Sequence, residues 1–293
     1  MSETLIFGGY GFIGSNLFKS SKKSKRFTSK KKINNNYSLV FFKKIINKHN
    51  PKNIFFLSGI SHPLFSKKKH LLDIKENNIK LQNLLTAAGQ VKFKGKIIYT
   101  SSIAVYGSNN KKNVKENEKL NPESFYALSK IMAEKQCEYF IRNEKINIVV
   151  LRLCSVFGPG LKRQIIYKLI KKLLLNKKTN IIVDGNKSDK REFLYIDDLI
   201  RILLKIQRMK IESGIYNIGT GKQILIEYVY KSLKKKLKLK NKIIFKNKID
   251  SPHFSILDSK KIEKKIKFTF RNNFNKNLIT TLNYWIKNRN LID

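Results

Sequence analysis

The sequence is poor in the residues that build disulfide frameworks, metal sites and membrane spans. It has two cysteines, Cys137 and Cys154, and neither lies in a C-x-x-C motif or a Cys/His cluster. Its four histidines show no metal-ligand spacing, so we expect no metal. No apolar run approaches the roughly 18 residues of a membrane helix. Because the N-terminus opens on a strand pattern rather than a signal peptide, we expect a protein of the reducing cytoplasm with no membrane association.

Acidic residues are also scarce, with 20 Asp and Glu against 62 Lys and Arg and a net charge of +42. Such a charge suggests nucleic acid or an anionic membrane as a partner. The lysines, however, are spread along the whole chain together with Asn and Ile, and the basic blocks lack interleaved aromatic residues that could stack on bases. These blocks are "KKSKR" (22–26) and "KKK" at 30–32, 67–69 and 234–236. We interpret the charge as solvated surface that would still attract a diphosphate, and we do not expect nucleic-acid binding.

Short apolar runs alternate with stretches of helical spacing. The runs are "TLIF" (4–7), "NIFFL" (53–57), "KIIYT" (96–100) and "INIVVLR" (146–152). Strands without polar alternation, separated by helices, indicate a parallel sheet that is covered on both faces. The sequence therefore predicts an α/β fold.

The pattern changes after Gly158-Pro159-Gly160. The later segments are a helix over 164–175, a strand "NIIV" (180–183), a helix "YIDDLIRILLKI" (195–206), a Lys-rich part from about 223 and a helix "NLITTLNYWIK" (277–287). We expect a first domain over 1–155, to which 187–219 returns, and a smaller, discontinuous domain over 156–293.

Four glycines, Gly8, Gly9, Gly11 and Gly14, follow the first apolar run. Glycines between a strand and a helix let backbone N–H groups and the helix N-terminus approach a pyrophosphate. The acid that usually holds the adenosine ribose about twenty residues later is missing, because no Asp or Glu occurs between Glu3 and Asp73. The window "KRFTSKKKINNN" (25–36) offers Lys and Arg, which can accept a 2′-phosphate, so NAD and NADP both stay open.

A tyrosine and a lysine lie four residues apart in the helical stretch 124–140, so that Tyr126 and Lys130 share one face. A free phenol has a pKa near 10 and is a poor base at neutral pH, but a nearby ammonium and a cationic nicotinamide favour the phenolate. Ser101 and Ser102 follow the strand "KIIYT", at the carboxyl end where open sheets bind ligands. A serine there can orient a substrate oxygen while Tyr126 exchanges its proton.

With these elements in place, the chain resembles the extended short-chain dehydrogenase/reductase family, the NAD-dependent epimerase/dehydratase group that acts on nucleotide sugars. The matching blocks are "GGYGFIGSN", "NIFFLSG", "NNIKLQNLLTAA", "IYTSSIAVYG", "NPESFYALSK", "LRLCSVFGPG", "DGNKSDKREFLYIDDL" and "GIYNIGTGK". The resemblance implies a Rossmann-type doubly wound parallel sheet with a smaller C-terminal substrate-binding domain. It also implies a homodimer through the helices at about 75–90 and 124–142, and a place in cell-surface polysaccharide synthesis.

The resemblance also assigns site residues. It places catalysis on Ser102, Tyr126 and Lys130. It places the cofactor, NAD or alternatively NADP, on Gly8, Gly11, Phe12, Ile13, Gly14, Ser58, Asn78, Ser101, Tyr126 and Lys130. It places a nucleotide-diphosphate sugar on Ser102, Ser155, Arg163 and Arg191, where an arginine suits the diphosphate because it binds in a bidentate manner.

Related 4,6-dehydratases carry an acid directly after the catalytic Ser/Thr, whereas this chain has Ile103 and Ala104. Neither side chain can move a proton, so sugar dehydration is disfavoured. We expect an NAD(P)-dependent epimerase that acts at C4 of an NDP-hexose by transient oxidation to a keto sugar, with an NADPH-dependent 4-keto reductase as the alternative. An alternative of another class is a catalytically idle Rossmann protein that binds RNA or a partner, against which the intact Ser102, Tyr126 and Lys130 argue.

Overall fold

The computed structural model describes residues 4–28, 37–61, 69–108, 113–175, 180–246, 255–271 and 273–292. The strands are β1 (Thr4–Phe7), β2 (Ser24–Phe27), β3 (Asn53–Phe56), β4 (Lys96–Ser102), β5 (Asn147–Leu153), β6 (Ser155–Phe157), β7 (Ile181–Asp184), β8 (Lys190–Tyr195), β9 (Gly214–Ile218), β10 (Gln223–Leu225) and β11 (Ile243–Lys246). The helices are α1 (Phe12–Ser20), α2 (Leu39–His49), α3 (His70–Ile74), α4 (Lys80–Gln90), α5 (Phe125–Asn143), α6 (Gln164–Leu175), α7 (Ile196–Arg208), α8 (Ile226–Leu237), α9 (Lys260–Ile266) and α10 (Phe274–Lys287). A π-helical turn, Lys75–Ile79, joins α3 to α4.

The main sheet has six strands in the order β2-β1-β3-β4-β5-β9, and every neighbouring pair is parallel. The order reverses between β1 and β3, which is the switch point where open α/β sheets bind ligands at the carboxyl ends of their strands. This architecture confirms the predicted Rossmann-type doubly wound sheet.

Both faces of the sheet are buried. Ile6 and Phe55 contribute to the core on one face, and Leu5 and Ile54 contribute to the core on the other. Side chains alternate between the two faces of a strand, so a strand between two helical layers must be apolar at every position. This requirement explains why the runs in the sequence show no polar alternation.

The later part of the chain forms two small sheets, one with the order β10-β8-β6 and one that pairs β11 with β7. After β8 the chain goes back to the main sheet, because α7 packs against α1 and β9 pairs with β5. The segment in contact with the main sheet is therefore 196–218, whereas β8 within the expected 187–219 lies in a small sheet. The division into two domains stays a prediction.

A buried lysine ties the returning segment to the sheet. Lys96 at the start of β4 is 7% exposed, and its Nζ donates to the backbone oxygens of Ile206 at 2.5 Å and Met209 at 2.6 Å. A cation at a helix C-terminus satisfies carbonyls that lack an intrahelical partner. The lysines of block 234–236 lie likewise in the last turn of α8. Among the helices of the described ranges, none is long and apolar enough to cross a membrane.

Candidate active site

The glycine turn lies at the switch point of the sheet. Gly8 has a φ of +79°, and its N–H donates to the Phe27 backbone oxygen at 3.1 Å and to the Tyr37 hydroxyl at 3.2 Å. A Cβ on Gly8 would lie 2.6 Å from the Ser58 nitrogen, and a Cβ on Gly14 would overlap the Gly8 oxygen. Only glycine fits at either position, so the first turn of α1 comes close to the backbone of the turn that follows β1.

The N-terminus of α1 offers donors for an anion. Its N-cap residue is Gly11, no side chain caps it, and no acidic residue lies in its first turn. Uncapped N–H groups together with the positive end of the helix dipole form a binding site for phosphate. These residues fit the pyrophosphate of a dinucleotide, which Gly8, Gly11, Phe12, Ile13 and Gly14 would hold, with Ser58 at the adjacent end of β3.

On the side of the sheet where we expect the adenosine of the cofactor, strand β2 carries a cation, Arg26, and no acidic residue. Arg26 on β2 is half-buried, and its guanidinium carbon lies 4.2 Å from the ring centre of Tyr10 and 4.4 Å from that of Phe18. Two aromatic rings therefore hold a planar cation beside the glycine turn. The rest of the predicted basic window, 29–36, lies outside the described residues.

The predicted catalytic residues come together at the carboxyl end of β4. Ser102 is the last residue of β4, and its hydroxyl accepts from the Ala104 N–H at 3.2 Å. Ser102 also lowers the pKa of the Tyr126 phenol, which places the two hydroxyl groups near each other. Ser124 caps α5 by accepting from the Ala127 N–H at 3.1 Å. This cap fixes the start of α5, so that Tyr126 and Lys130 lie one turn apart on the face toward β4.

The electrostatics of Tyr126 follow from its surroundings. Burial raises the pKa of the phenol, since the phenolate loses hydration. The hydrogen bond from Ser102 and the positive charge of Arg163 lower that pKa, and the Asp73 carboxylate raises it. Arg163 itself is exposed and precedes α6, so a cation at the mouth of the site acts on the phenol.

Lys130 is 5% exposed. Its Nζ donates to the Tyr99 hydroxyl and to the Thr100 backbone oxygen, both at 3.0 Å. Burial lowers the pKa of this ammonium to about 8, while Asp73 and Glu134 oppose that decrease. At neutral pH the group is therefore a cation that can release its proton within the working range of an enzyme.

The two asparagines at the π-helical turn differ in what they contact. Asn78 donates from Nδ2 to the Ser129 backbone oxygen at 2.9 Å and so joins this turn to α5. Asn77 lies closer to the end of β3, with its Nδ2 at 3.2 Å from the Ile60 oxygen, 3.2 Å from the Ser129 hydroxyl and 2.7 Å from Asp73 Oδ1. The role of Asn78 toward the cofactor stays a prediction. The sequence interpretation missed Asn77, although the doubled Asn offered the signal.

Ser101 points away from Ser102 and into the protein. It is 4% exposed, and its hydroxyl donates to Glu134 Oε1 at 2.5 Å. The alternation of side chains along a strand explains why two adjacent serines face opposite ways. This contact engages the Ser101 hydroxyl with α5, and its predicted contact with the cofactor stays untested.

Glu134 belongs to a buried polar network that the sequence interpretation did not find. Its carboxylate accepts from Arg152 Nη2 at 2.7 Å and from Arg152 Nε at 3.0 Å, and both side chains are almost fully buried. Arg152 Nη1 donates to the Tyr106 hydroxyl at 2.6 Å, which in turn donates to Asn217 Oδ1 at 2.8 Å. The network links α5, β5 and β9 behind the catalytic residues, and each partner comes from a distant part of the sequence.

The other predicted substrate residues lie on the small sheet. Ser155 on β6 pairs with Phe193 of β8, the strand that also carries the half-buried Arg191. Next to Arg191, the buried Glu192 accepts from the Gly221 N–H at 2.7 Å and the Leu257 N–H at 3.1 Å, and burial raises its pKa to about 7. Glu192 therefore fixes the loop after β9 and the segment before α9 to the strand of Arg191.

Comparison with known proteins agrees with this geometry. The family model described as "NAD dependent epimerase/dehydratase family" matches residues 4–219, which is most of the chain. The chain belongs to this NAD-dependent epimerase/dehydratase family. The match includes the glycine turn, the predicted catalytic residues and both arginines of the predicted substrate site.

The proteins to which this chain is similar include both epimerases and 4,6-dehydratases. A putative UDP-glucose 4-epimerase of Methanocaldococcus jannaschii is 28% identical over 88% of this chain and 90% of its own length. A dTDP-D-glucose 4,6-dehydratase of Dictyostelium discoideum is 32% identical over 76% of this chain, but the match spans only 59% of that protein. The UDP-glucose 4-epimerase of Thermotoga maritima, solved with UDP-glucose, has a TM-score of 0.86 at 23% identity over 98% of this chain and 99% of its own, and shows the same fold.

Proposed function

We propose that this chain is a nucleotide-sugar epimerase that inverts C4 of an NDP-hexose through a transient keto sugar. The observation that carries the proposal is the grouping of three side chains at the carboxyl end of β4. Ser102 ends that strand and lowers the pKa of the Tyr126 phenol, and Lys130 Nζ lies 5.9 Å from the centre of the Tyr126 ring. This arrangement can take a proton from a sugar hydroxyl and return it. Inversion at one carbon without net change of the cofactor needs that proton transfer and a hydride carrier. It also needs rotation of the keto sugar between the two hydride transfers, so that the hydride returns to the opposite face.

Each side chain has a defined task in this scheme. A bound nicotinamide cofactor supplies the chemistry of hydride removal and return at the sugar carbon. Tyr126 accepts the hydroxyl proton as a phenolate and donates it again, while Ser102 orients the same oxygen. The Arg163 guanidinium favours the phenolate, which burial alone disfavours. The Lys130 ammonium, 5.9 Å from the centre of the Tyr126 ring, would favour it further.

The positions after Ser102 support epimerisation over dehydration. Ile103 is 7% exposed, and Ala104 uses its N–H to contact the Ser102 hydroxyl. Neither side chain carries a group that could protonate a leaving hydroxyl. A water-eliminating reaction would therefore lack its acid at the place where 4,6-dehydratases carry one.

The substrate class follows from charge. We assign Arg163 and Arg191 to a diphosphate, since guanidinium groups bind that group with two parallel hydrogen bonds. The epimerases to which the chain is similar act on, or are solved with, UDP-sugars. UDP-hexoses are therefore the first substrates to test.

The decisive experiment is incubation of the pure protein with UDP-glucose and with UDP-N-acetylglucosamine, without added cofactor. We expect the C4 epimer to form, detected by the anomeric proton resonances, and the Tyr126→Phe variant to form none. Oxidation of NADPH that requires a 4-keto nucleotide sugar, without epimer formation, would contradict the proposal.

One observation favours the alternative, an NADPH-dependent 4-keto reductase. Arg26 offers a fixed cation on the adenosine side, where an arginine accommodates the 2′-phosphate of NADP. In that reaction the same three catalytic residues would donate a proton once, and the reduced cofactor would come from solution.

We further propose a homodimer, formed through the helices that carry the active site. Several large apolar side chains on this helical surface are exposed, namely Ile79, Leu128, Met132 and Tyr139. Light scattering should give twice the chain mass. A cytoplasmic location also stays a proposal, supported by two buried free thiols.

A further inference from the structure

Tyr99 contacts the catalytic lysine but has no part in the scheme above. It lies on β4, three residues before Ser102, and it is 1% exposed. Its ring packs against Phe56, with ring centres 6.4 Å apart. Its hydroxyl lies 3.0 Å from Lys130 Nζ.

The donors of Lys130 can be accounted for one by one. An ammonium has three N–H groups and no acceptor. One points to the Tyr99 hydroxyl and one to the Thr100 backbone oxygen, both on β4. Two acceptors on one rigid strand fix the position of Nζ, which lies 5.9 Å from the centre of the Tyr126 ring.

The hydroxyl matters because Lys130 is buried. The charged groups near Lys130 are Asp73 on α3 and Glu134 on α5, and the Cys137 thiol of α5 lies near it as well. None of these three makes a hydrogen bond to Nζ among the described contacts, whereas Tyr99 does so directly. Burial raises the pKa of the Tyr99 phenol well above its usual value, so it stays neutral and can act as an acceptor.

We propose that Tyr99 is a positioning residue, whose hydroxyl holds the Lys130 ammonium toward Tyr126 and keeps it charged near neutral pH. The role in turnover rests on the proposed function, but the effect on Lys130 does not. Removing the hydroxyl should make the cation less stable, so that Lys130 loses its proton at lower pH. A neutral Lys130 no longer favours the Tyr126 phenolate.

The direct test measures the titration of Lys130 in protein labelled with 13C at the lysine ε carbons. The resonance that is missing in Lys130→Arg belongs to Lys130. We expect its midpoint near pH 8 in the unsubstituted protein, and about one pH unit lower in Tyr99→Phe, since one hydrogen bond to a charged group corresponds to about one pKa unit. An unchanged midpoint in Tyr99→Phe overturns the proposal.

The matched control is Tyr230→Phe. Tyr230 is 2% exposed, and its hydroxyl donates to the Asn241 backbone oxygen at 2.9 Å, far along the chain from Lys130. The Tyr230→Phe variant also loses one buried tyrosine hydroxyl, so it reproduces any general loss of stability caused by that change. Its Lys130 midpoint should stay near that of the unsubstituted protein, and an equal shift in both variants would contradict a specific role of Tyr99.

Kinetics give a second readout. In Tyr99→Phe, kcat should fall about three- to tenfold at pH 8, with its alkaline decline starting about one pH unit lower, while KM for the sugar stays the same. A loss of structure would instead change kcat and KM together at all pH values. If the midpoint moves but no nucleotide sugar is turned over by the unsubstituted protein, the proposed function fails and the role of Tyr99 stands.

A measurement without substitution at Tyr99 covers the case in which Tyr99→Phe does not fold. In protein labelled with 13C at the tyrosine ζ carbons, one buried resonance should shift at the Lys130 midpoint. That shift should vanish in Lys130→Met. If no tyrosine resonance shifts as Lys130 titrates, the hydrogen bond between Lys130 and Tyr99 does not exist in solution and the proposal is wrong.

Discussion

The two halves of the carboxyl edge of the main sheet are built from different interactions. On the catalytic half, around β4 and β5, buried polar groups are paired with one another, as Arg152 is with Glu134. On the adenosine half, around β1 and β2, the packing is aromatic, and the buried Tyr37 and Phe42 surround Phe7 at ring-centre distances of 5.3 and 5.0 Å. Paired polar groups specify positions for chemistry, whereas aromatic packing supplies a stable base beneath a cofactor. We therefore expect substitutions on the first half to affect turnover and on the second half to affect cofactor choice.

The largest effect should come from Tyr126→Phe. Losing the proton-transferring hydroxyl should lower turnover about 1,000-fold or more, while NAD binding, followed by fluorescence titration, changes little. The control is Tyr228→Phe on α8, because Tyr228 is 42% exposed and its hydroxyl donates to Asn275 Oδ1 on α10 at 3.0 Å. If Tyr126→Phe keeps the turnover of the unsubstituted protein, Tyr126 does not transfer the proton. The hypothesis of a catalytically idle Rossmann protein is then favoured.

Arg152→Met should produce the next largest effect, on stability. It leaves the Glu134 carboxylate buried without its cation, which costs about 3–5 kcal/mol of unfolding free energy. The comparison is Lys135→Met, since the Lys135–Glu138 pair on the surface of the same helix is largely exposed and is worth less than about 1 kcal/mol. Urea unfolding of both variants measures the difference, and equal losses would mean that the buried network does not stabilise the catalytic half.

Gly14→Ala tests the approach of α1 to the cofactor. Its Cβ would overlap the Gly8 oxygen, so the glycine turn must shift, and NAD affinity should fall about tenfold to 100-fold. Gly89→Ala is the control, because a Cβ on that helical glycine meets its nearest atom, Glu144 Oε2, at 3.4 Å. We expect the control to keep its NAD affinity and to gain about 0.5–1 kcal/mol of stability.

The smallest expected effect is that of Arg26→Ala on cofactor choice. Without the guanidinium, the ratio of NADP affinity to NAD affinity should fall about tenfold, measured by calorimetric titration with each dinucleotide. Lys25→Ala serves as the control, since this exposed neighbour has only a general electrostatic effect. An unchanged ratio in Arg26→Ala would show that the cation has no part in reading the ribose.

The parts of the fold that follow from local pattern could be predicted from the sequence. The helix expected over 164–175 is α6, Gln164–Leu175, because its apolar residues repeat at helical spacing. The strand β2 was missed, since "SKRF" has a single apolar residue, and its position beside β1 depends on pairing rather than on pattern. Edge strands contribute little apolar surface and so give a weak signal.

In the candidate site, too, features set by local pattern could be predicted, whereas contacts between distant segments could not. The spacing of Tyr126 and Lys130 and the position of Ser102 could be read from the sequence, because one helix and one strand end determine them. The inward direction of Ser101 could have been predicted from strand alternation once Ser102 faced the site, but its partner Glu134 could not. The pairing of Glu134 with Arg152 could not, because nothing local in either segment specifies a partner on another element.

The position of β9 at the edge of the main sheet also affects how the chain folds. β9 pairs with β5, but only after the chain has passed through β6, β7, β8 and two helices. Pairing of segments so distant in the chain is slow, because loop closure must precede the contacts that stabilise it. During synthesis the apolar β5 is therefore an open edge until Ile218 has left the ribosome, and such edges invite aggregation. The order in which this sheet is completed makes the growing chain a candidate client for chaperones.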